Sequence, residues 1–265
     1  MNISVVINTL NEEKNIADCI SSVLDFADEI VVCDMHSDDR TAEIARSMGA
    51  AVISHPRLDF VEPARHTAIS AANGRWVLVL DADERVTPQL AEKLESAANS
   101  DDYDVVCLWN LFWFFGGWVR QGGFFTGDWA RFFRKQHYLD SYSEDENFIH
   151  RCFRAIQTDG RVLNLPNDCY LKHLAYPSVE GYVHKTLGRY AAIEARLMHE
   201  AGQRFSLFGL IWEPVKEAMG RYLLRRGFLD GMRGLILATL YGGFKFLIWA
   251  NLWSLENSEK QPKDA

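Results

Sequence analysis

Asp81 and Asp83 stand one residue apart at the end of the apolar run Val77–Leu80, in the stretch VLVLDADE. In an extended segment residues i and i+2 point the same way, so the two carboxylates can address one object. A carboxylate taken out of water is costly unless something compensates it. Hard oxygen ligands suit Mg2+ or Mn2+, ions that commonly complete their shells with substrate phosphates and water. A cation held there against a diphosphate would neutralise charge building up on a departing nucleoside diphosphate. Other apolar runs also end in polar residues: Thr9, Asn11 and Glu12 follow ISVVIN, and Asp34 closes EIVVCD. The letters alone decide little, because Asp102-Tyr103-Asp104 repeats the pattern in what reads as a solvated turn.

These residues need elements to position them. Residues 3–8 form a short apolar strand rich in β-branched residues, and Asn11 is placed to cap a helix carrying Ile16, Ile20, Val23 and Leu24 at helical spacing. EIVVCD is a second strand, 41–48 a helix stopped by Gly49, and AVIS (51–54) a third strand. A helix over 62–72 leads to WVLVLDAD, Thr87-Pro88 opens the next helix, and DVVCLWN (104–110) is a fifth strand. Strands alternating with helices predict an α/β fold with a mainly parallel sheet covered on both faces. Ligands of such open sheets sit at the carboxyl ends of the strands, where these polar residues collect.

Composition bounds the rest. The chain has 265 residues and a net charge of −8, which argues against a general nucleic-acid binder. Its five cysteines are odd in number and scattered without a C-x-x-C pair, as expected for ordinary reduced thiols. MNISVVINTLNEE lacks a basic region followed by a long apolar stretch, so no secretory signal is read there and the first domain is expected in the cytoplasm.

The stretches VVINTLNEE, IVVCDMHSDDRT and ARHTAISAANGRWVLVLDADE, in this order and spacing, resemble the inverting glycosyltransferases of family 2. That family has the Rossmann-like GT-A fold of nucleotide-diphospho-sugar transferases. The later stretches GRVLNLP, LKHLAYPS, HKTLGRYAAIEA and RGFLDGMRGL are similar to the branch that adds sugars to lipopolysaccharide core or related lipid-linked glycans. The resemblance implies that Thr9, Asn11 and Glu12 hold the nucleoside and that Asp34 accepts a hydrogen bond from the uracil N–H. It implies that Arg65 contacts base or diphosphate, that Asp81 faces ribose and metal, and that Asp83 is the principal ligand of Mg2+ or Mn2+. His173 would be a further metal ligand. The bland readings are Asp34 as a helix cap, Arg65 as an exposed helix residue and His173 as a structural histidine.

An inverting transfer also needs a general base for the acceptor hydroxyl. EDENFIHR (144–151) resembles the family's E-D-x-x-hydrophobic-x-x-R motif, whose Asp is the base, which makes Asp145 the expected base here. Arg151 would orient this segment or pair with phosphate. The core-sugar branch usually shows His-Glu where this chain has His150-Arg151, so Asp145 or Glu146 takes the role, or the activity is altered.

After residue 110 the sequence turns dense in aromatics, Gly and Arg, read as an irregular excursion plus a strand over 131–134; from 178 it becomes helical. The segment 234–255 is apolar except for Lys245 and Asn251 and long enough to span a bilayer, but Gly242-Gly243 and the central lysine argue against a span. Arg221, Arg225, Arg226 and Arg233 beside Trp and Phe suit attachment in the membrane interface; packing on the catalytic domain or a dimer contact are the alternatives. The expected organisation is a catalytic domain over 1–177, with a nucleotide-sugar half over 1–110 and an acceptor half over 111–177. A membrane-associating helical region over 178–256 and a tail over 257–265 follow.

The expected activity is metal-dependent transfer from a UDP-sugar to a lipid-linked saccharide acceptor, by an enzyme attached peripherally to the inner face of the cytoplasmic membrane. Polyprenyl-phosphate glycosylation and a non-catalytic membrane adaptor are the alternatives. A sugar-phosphate nucleotidyltransferase is disfavoured because NTLNEEKN has no glycine-rich loop.

Overall fold

The computed structural model describes residues 2–57, 61–142 and 160–258. Two compact units divide the chain: Met1–Leu111 with Thr126–His173, and Phe112–Phe125 with Leu174–Ala265. The second unit thus takes in the aromatic excursion together with the C-terminal helices.

In the first unit β1 (Ile3–Thr9) lies between β2 (Glu29–Asp34) and β4 (Trp76–Asp81), parallel to both, and β3 (Ala51–Ser54) runs parallel to β2. β8 (Thr126–Arg134) pairs antiparallel with β4 and with β6 (Val105–Phe114). β9 (Val162–Asn164) adds parallel to β6, and β10 (Tyr170–Tyr176) pairs antiparallel with β5 (Glu84–Val86). The order is β3-β2-β1-β4-β8-β6-β10-β5.

Alternation explains why the central strands are apolar throughout. Val5 and Ile7 of β1 with Leu78 and Leu80 of β4 face one core, where α1 (Ile16–Ser21) and α4 (Pro88–Ala98) contribute Ile16, Ile20, Leu90 and Leu94. Val6, Val77 and Val79 face the other, covered by Ala64, Ala68 and Ile69 of α3 (Glu62–Ala71) and by Tyr138 of α5 (Lys135–Ser141). Each large side chain buried this way contributes about 1.5–3 kcal/mol. α2 (Thr41–Ser47) ends before Gly49, whose φ of +86° only glycine adopts readily. α4 starts as its sequence predicts: the Thr87 hydroxyl accepts from the Leu90 N–H and Pro88 occupies the first turn.

Five local expectations change. Asn11 is no helix cap: it lies in left-handed backbone (φ +59°) and its side-chain oxygen accepts from the Asp38 N–H at 2.8 Å. The fifth strand runs on to Phe114 with register shifts along it, and the strand expected over 131–134 spans all of Thr126–Arg134. The excursion opens in regular structure: β7 (Gly117–Val119) folds back on β6 through Phe115 and Gly116, both at positive φ, the tight turn that matches strand twist. Asp104 is not left to solvent, because Arg161 grips both its carboxylate oxygens at 2.9 and 3.0 Å.

The second unit packs Phe114, Val119, Tyr182 and Leu237 into one cluster and Ala191, Ala195, Phe244, Ile248 and Leu252 into another. Two of the arginines expected at a membrane are used internally. The buried Arg221 guanidinium sits 3.5 Å over the Tyr241 ring and donates to the Gly122 carbonyl at 2.9 Å. Arg233 donates to the carbonyls of Phe115 and Gly116. The segment Gly227–Asn257 is long and apolar enough to cross a membrane by length and composition.

Candidate active site

β1, β2 and β4 run parallel, so Thr9, Asp34 and Asp81 finish at one edge of the sheet: Thr9 is registered with Asp34, and Asn8 with Asp81. The last residues of β1 and β2 bring buried polar atoms to this edge. The Asn8 amide, the Thr9 hydroxyl and Asp34 Oδ1 are shut from solvent with no hydrogen-bond partner among the described residues. A buried polar atom left unmatched costs roughly 1–3 kcal/mol, which a ligand would recover. The other Asp34 oxygen accepts from the Ser37 N–H at 3.1 Å and fixes the carboxylate. Asn11 and Glu12 are occupied in the loop itself: the Asn11 N–H donates to Ser37 Oγ, the Glu12 N–H to Thr41 Oγ1, and Glu12 Oε2 accepts from Asn15.

Asp81 closes β4 between two arginines. Arg65, buried on α3, donates to Oδ1 at 2.6 Å, and Arg131, buried on β8, lies 3.5 Å from Oδ2. Burial opposes ionisation of Asp81, yet these guanidinium groups hold its carboxyl far below the usual carboxylate range. Arg131 also reaches the fully buried Glu84 at 3.5 Å. Glu84 accepts from the Asp81 N–H at 2.9 Å and from Asn110 at 3.4 Å. Its burial and the neighbouring Asp81 push its pKa up against Arg131.

Asp83 meets a different partner. β10 pairs with β5 so that His173 is registered opposite Glu84. This places His173 Nε2 3.3 Å from Asp83 Oδ2 and Nδ1 3.4 Å from Glu84 Oε1. Burial lowers the pKa of His173, but Asp83, with Glu84 and Asp81, outweighs it and the net shift is upward.

The edge therefore gathers Thr9, Asp34, Arg65, Asp81, Asp83 and His173 in the first unit. Asp145, with Glu146 and Arg151, lies outside the described residues. Sequence reasoning missed Asn8, Glu84, Asn110 and Arg131. A signal existed for two of them: Glu84 extends the acidic run DADE, and Arg131 is a lone cation between apolar residues in WARFF. The thiols of Cys19, Cys33 and Cys169 are buried and form no disulfide among the described residues.

Asp83 and His173 supply a hard carboxylate oxygen and an imidazole nitrogen side by side, donors that suit Mn2+ or Mg2+. Among the described residues no group of three or more His, Cys, Asp or Glu forms a closed metal cage. Asp81 could join such a shell only in competition with Arg65 and Arg131.

The sequence matches the Glycosyl transferase family 2 model over residues 4–159. An uncharacterized glycosyltransferase of Rickettsia typhi is 28% identical over 261 residues, covering 96% of this chain and 87% of that protein. A dolichyl-phosphate hexose transferase of Haloferax volcanii is 38% identical over 110 residues, 39% of this chain and 46% of that protein. Among solved structures, TarS 1–349 of S. aureus matches 98% of this chain and 92% of its own with a TM-score of 0.56 at 19% identity. The same protein in complex with UDP gives a TM-score of 0.53 at 18% identity. The likeness establishes the fold, that of the GT-A glycosyltransferases.

Proposed function

The chain belongs to glycosyl transferase family 2 and is a glycosyltransferase; from that premise we propose that it transfers a sugar, with inversion, from a UDP-sugar to a lipid-linked saccharide acceptor at the cytoplasmic face of a membrane. The observation that carries the donor reading is the set of unmatched buried polar atoms on Asn8, Thr9 and Asp34, beside the Asp81–Arg65 pair and the Asp83–His173 pair. An acceptor-only carboxylate at Asp34 suits the N–H of a uracil ring. UDP is the nucleotide bound to TarS, one of the structural neighbours.

In this reading Arg65 holds Asp81 ionised and in place against the ribose, and Arg131 keeps Glu84 and Asp81 from repelling each other. Asp83 and His173 would hold a divalent cation, which when bound would supply positive charge to the departing diphosphate. Asp145 takes the proton of the acceptor hydroxyl as its oxygen bonds to the anomeric carbon, and the bond to UDP breaks on the opposite face. The acceptor is a lipid-linked saccharide of the cell envelope, such as lipopolysaccharide core. A polyprenyl phosphate is the second reading, favoured by the dolichyl-phosphate hexose transferase among the relatives.

A panel of UDP- and GDP-sugars with Mn2+ or Mg2+ tests the donor, read as release of nucleoside diphosphate and, with acceptor extracts, as the anomeric configuration of the product. UDP release that needs the metal, and an inverted linkage, is expected. No metal-linked UDP affinity, with no turnover of any donor, would mark a non-catalytic adaptor and overturn the proposal. Polyprenyl phosphate and lipid-linked saccharide supplied as separate acceptors divide the two readings.

A further inference from the structure

The helix Leu207–Met219 is arranged inside out. Leu207, Phe208, Ile211, Trp212, Val215 and Met219 are all exposed, and their spacing puts them on one helical stripe. The rings of Phe208 and Trp212 stack within that stripe at 6.2 Å. Glu213 and Glu217 are more buried, and Glu217 is matched by Arg221 at 3.4 Å and Arg225 at 3.8 Å. On the inner side the helix is fitted closely to the helix Gly231–Ser258: a Cβ on Gly209 would stand 2.4 Å from the Trp249 ring, and one on Gly242 2.9 Å from the Pro214 carbonyl. A helix on a water-facing surface shows the reverse order, polar outward and apolar inward. A contiguous apolar patch of this kind marks an interaction surface.

We propose that this face docks on an anionic lipid surface, with the helix Leu207–Met219 lying in the plane of the interface. The inference rests on the membrane-facing part of the function proposed above and assigns it to a particular element. Two observations select lipid over a second copy of the chain. Residues 204–233 carry six basic side chains against three acidic ones, although the whole chain has a net charge of −8; Arg221 and Arg233 are used internally, which leaves Arg204, Lys216, Arg225 and Arg226 at the surface. Lys216, Arg225 and Arg226 are exposed in and after the stripe, where Leu224 is 85% exposed. Anionic headgroups complement those cations, whereas a second copy would bring like charges together. The composition also fits: the helix continues through Gly220–Leu224, and Glu213, Lys216, Glu217 and Arg221 along it are costly in a span, whereas its exposed apolar stripe suits lying on a bilayer. The longer helix is committed elsewhere, since Leu237, Ile248 and Leu252 are buried in their own unit.

The full chain is sedimented with vesicles of phosphatidylcholine alone and of phosphatidylcholine mixed with phosphatidylglycerol. Pelleting with the mixed vesicles is expected, weakened about ten-fold or more in the double variant Phe208→Glu, Trp212→Glu and several-fold in Arg225→Glu, Arg226→Glu. Circular dichroism checks that the variants fold. Quenching by brominated acyl chains, lost in Trp212→Phe, reads insertion of that ring directly. The proposal is overturned if the wild-type chain stays in the supernatant, or if the folded double variant pellets as well as wild type. It is also overturned by a dimer that the double variant dissociates while vesicle binding is absent. UDP release in vesicle-free solution is measured alongside: failed docking with intact turnover leaves the catalytic reading standing, and intact docking without turnover does the reverse.

Discussion

Asp81 and Asp104 belong to two D-x-D stretches in the same unit, at opposite edges of one sheet. At the carboxyl edge, the arginines beside Asp81 are almost wholly buried, each with 5% of its side chain exposed. At the amino edge, before β6, Arg161 beside Asp104 keeps 58% exposed. Arg161 stays in water, and Asp104 is further held by Arg134 at 3.3 Å, so this carboxylate is matched within the protein and needs nothing more. Both arginines of the first pair are buried, and its neighbours Asn8, Thr9 and Asp34 hold polar atoms without partners among the described residues. The spelling is the same; the state of the surrounding polar groups differs, and that difference is why the donor site is proposed at the carboxyl edge.

Substitutions can break this contrast, beginning with the largest effect. Asp83→Ala is expected to lower UDP release about a thousand-fold, the scale lost when one stabiliser of a developing anion is removed. Its unfolding midpoint should stay near that of wild type; a variant that turns over normally with metal would undo the assignment of the edge. Arg131→Met removes the group between Asp81 and Glu84 and should cost about 3 kcal/mol in urea unfolding, the low end for breaking a buried ion pair because Arg65 still holds Asp81. A loss too small to measure would mean that the buried carboxylates do not need it.

Asp104→Asn should cost less than about 1 kcal/mol and leave turnover unchanged, as expected of a largely exposed partner. Acid titration sharpens the same point. The hydrogen bonds from Arg161 hold the Asp104 carboxyl down at about 2. A group whose pKa is depressed by folding stabilises the native state above its ordinary value and loses that contribution as pH falls through the folded value. The stability difference between wild type and Asp104→Asn, followed by denaturant melts, should therefore be full near pH ~5 and vanish towards pH ~2. A difference that grows on acidification would contradict the pairing.

Much of the first unit was legible because its signals are local. Runs such as ISVVINT, EIVVCD and WVLVLD have to be buried on both faces, and their ends then have to share an edge. Thr87-Pro88 and Gly49 punctuated helices by backbone preferences that depend on no distant contact. The misses depend on tertiary structure. Arg131 and Glu84 acquire meaning only when β8 pairs with β4 and brings a buried cation to a buried anion. Asn11 looked like a cap, but the loop turns through left-handed backbone and spends its side chain on Asp38. LFGLIWEPVKEAM has apolar residues at helical spacing whichever way it faces, so the sequence could not say that its apolar stripe points outward. The expected base, Asp145, lies among residues the structure does not describe.

The β6–β7 hairpin has a consequence for synthesis. Its core partners Tyr182 and Leu237 come much later in the chain than Phe114 and Val119. At about 10 residues per second, a ribosome takes on the order of ten seconds to make the stretch between Val119 and Leu237. For much of that interval the aromatic hairpin lacks Tyr182, and for nearly all of it Leu237, leaving the kind of surface that recruits a holdase or aggregates. A chain cut after His173 would keep the whole first unit and hold the hairpin in that unfinished state permanently. Its solubility should fall even though every residue of the first unit is present.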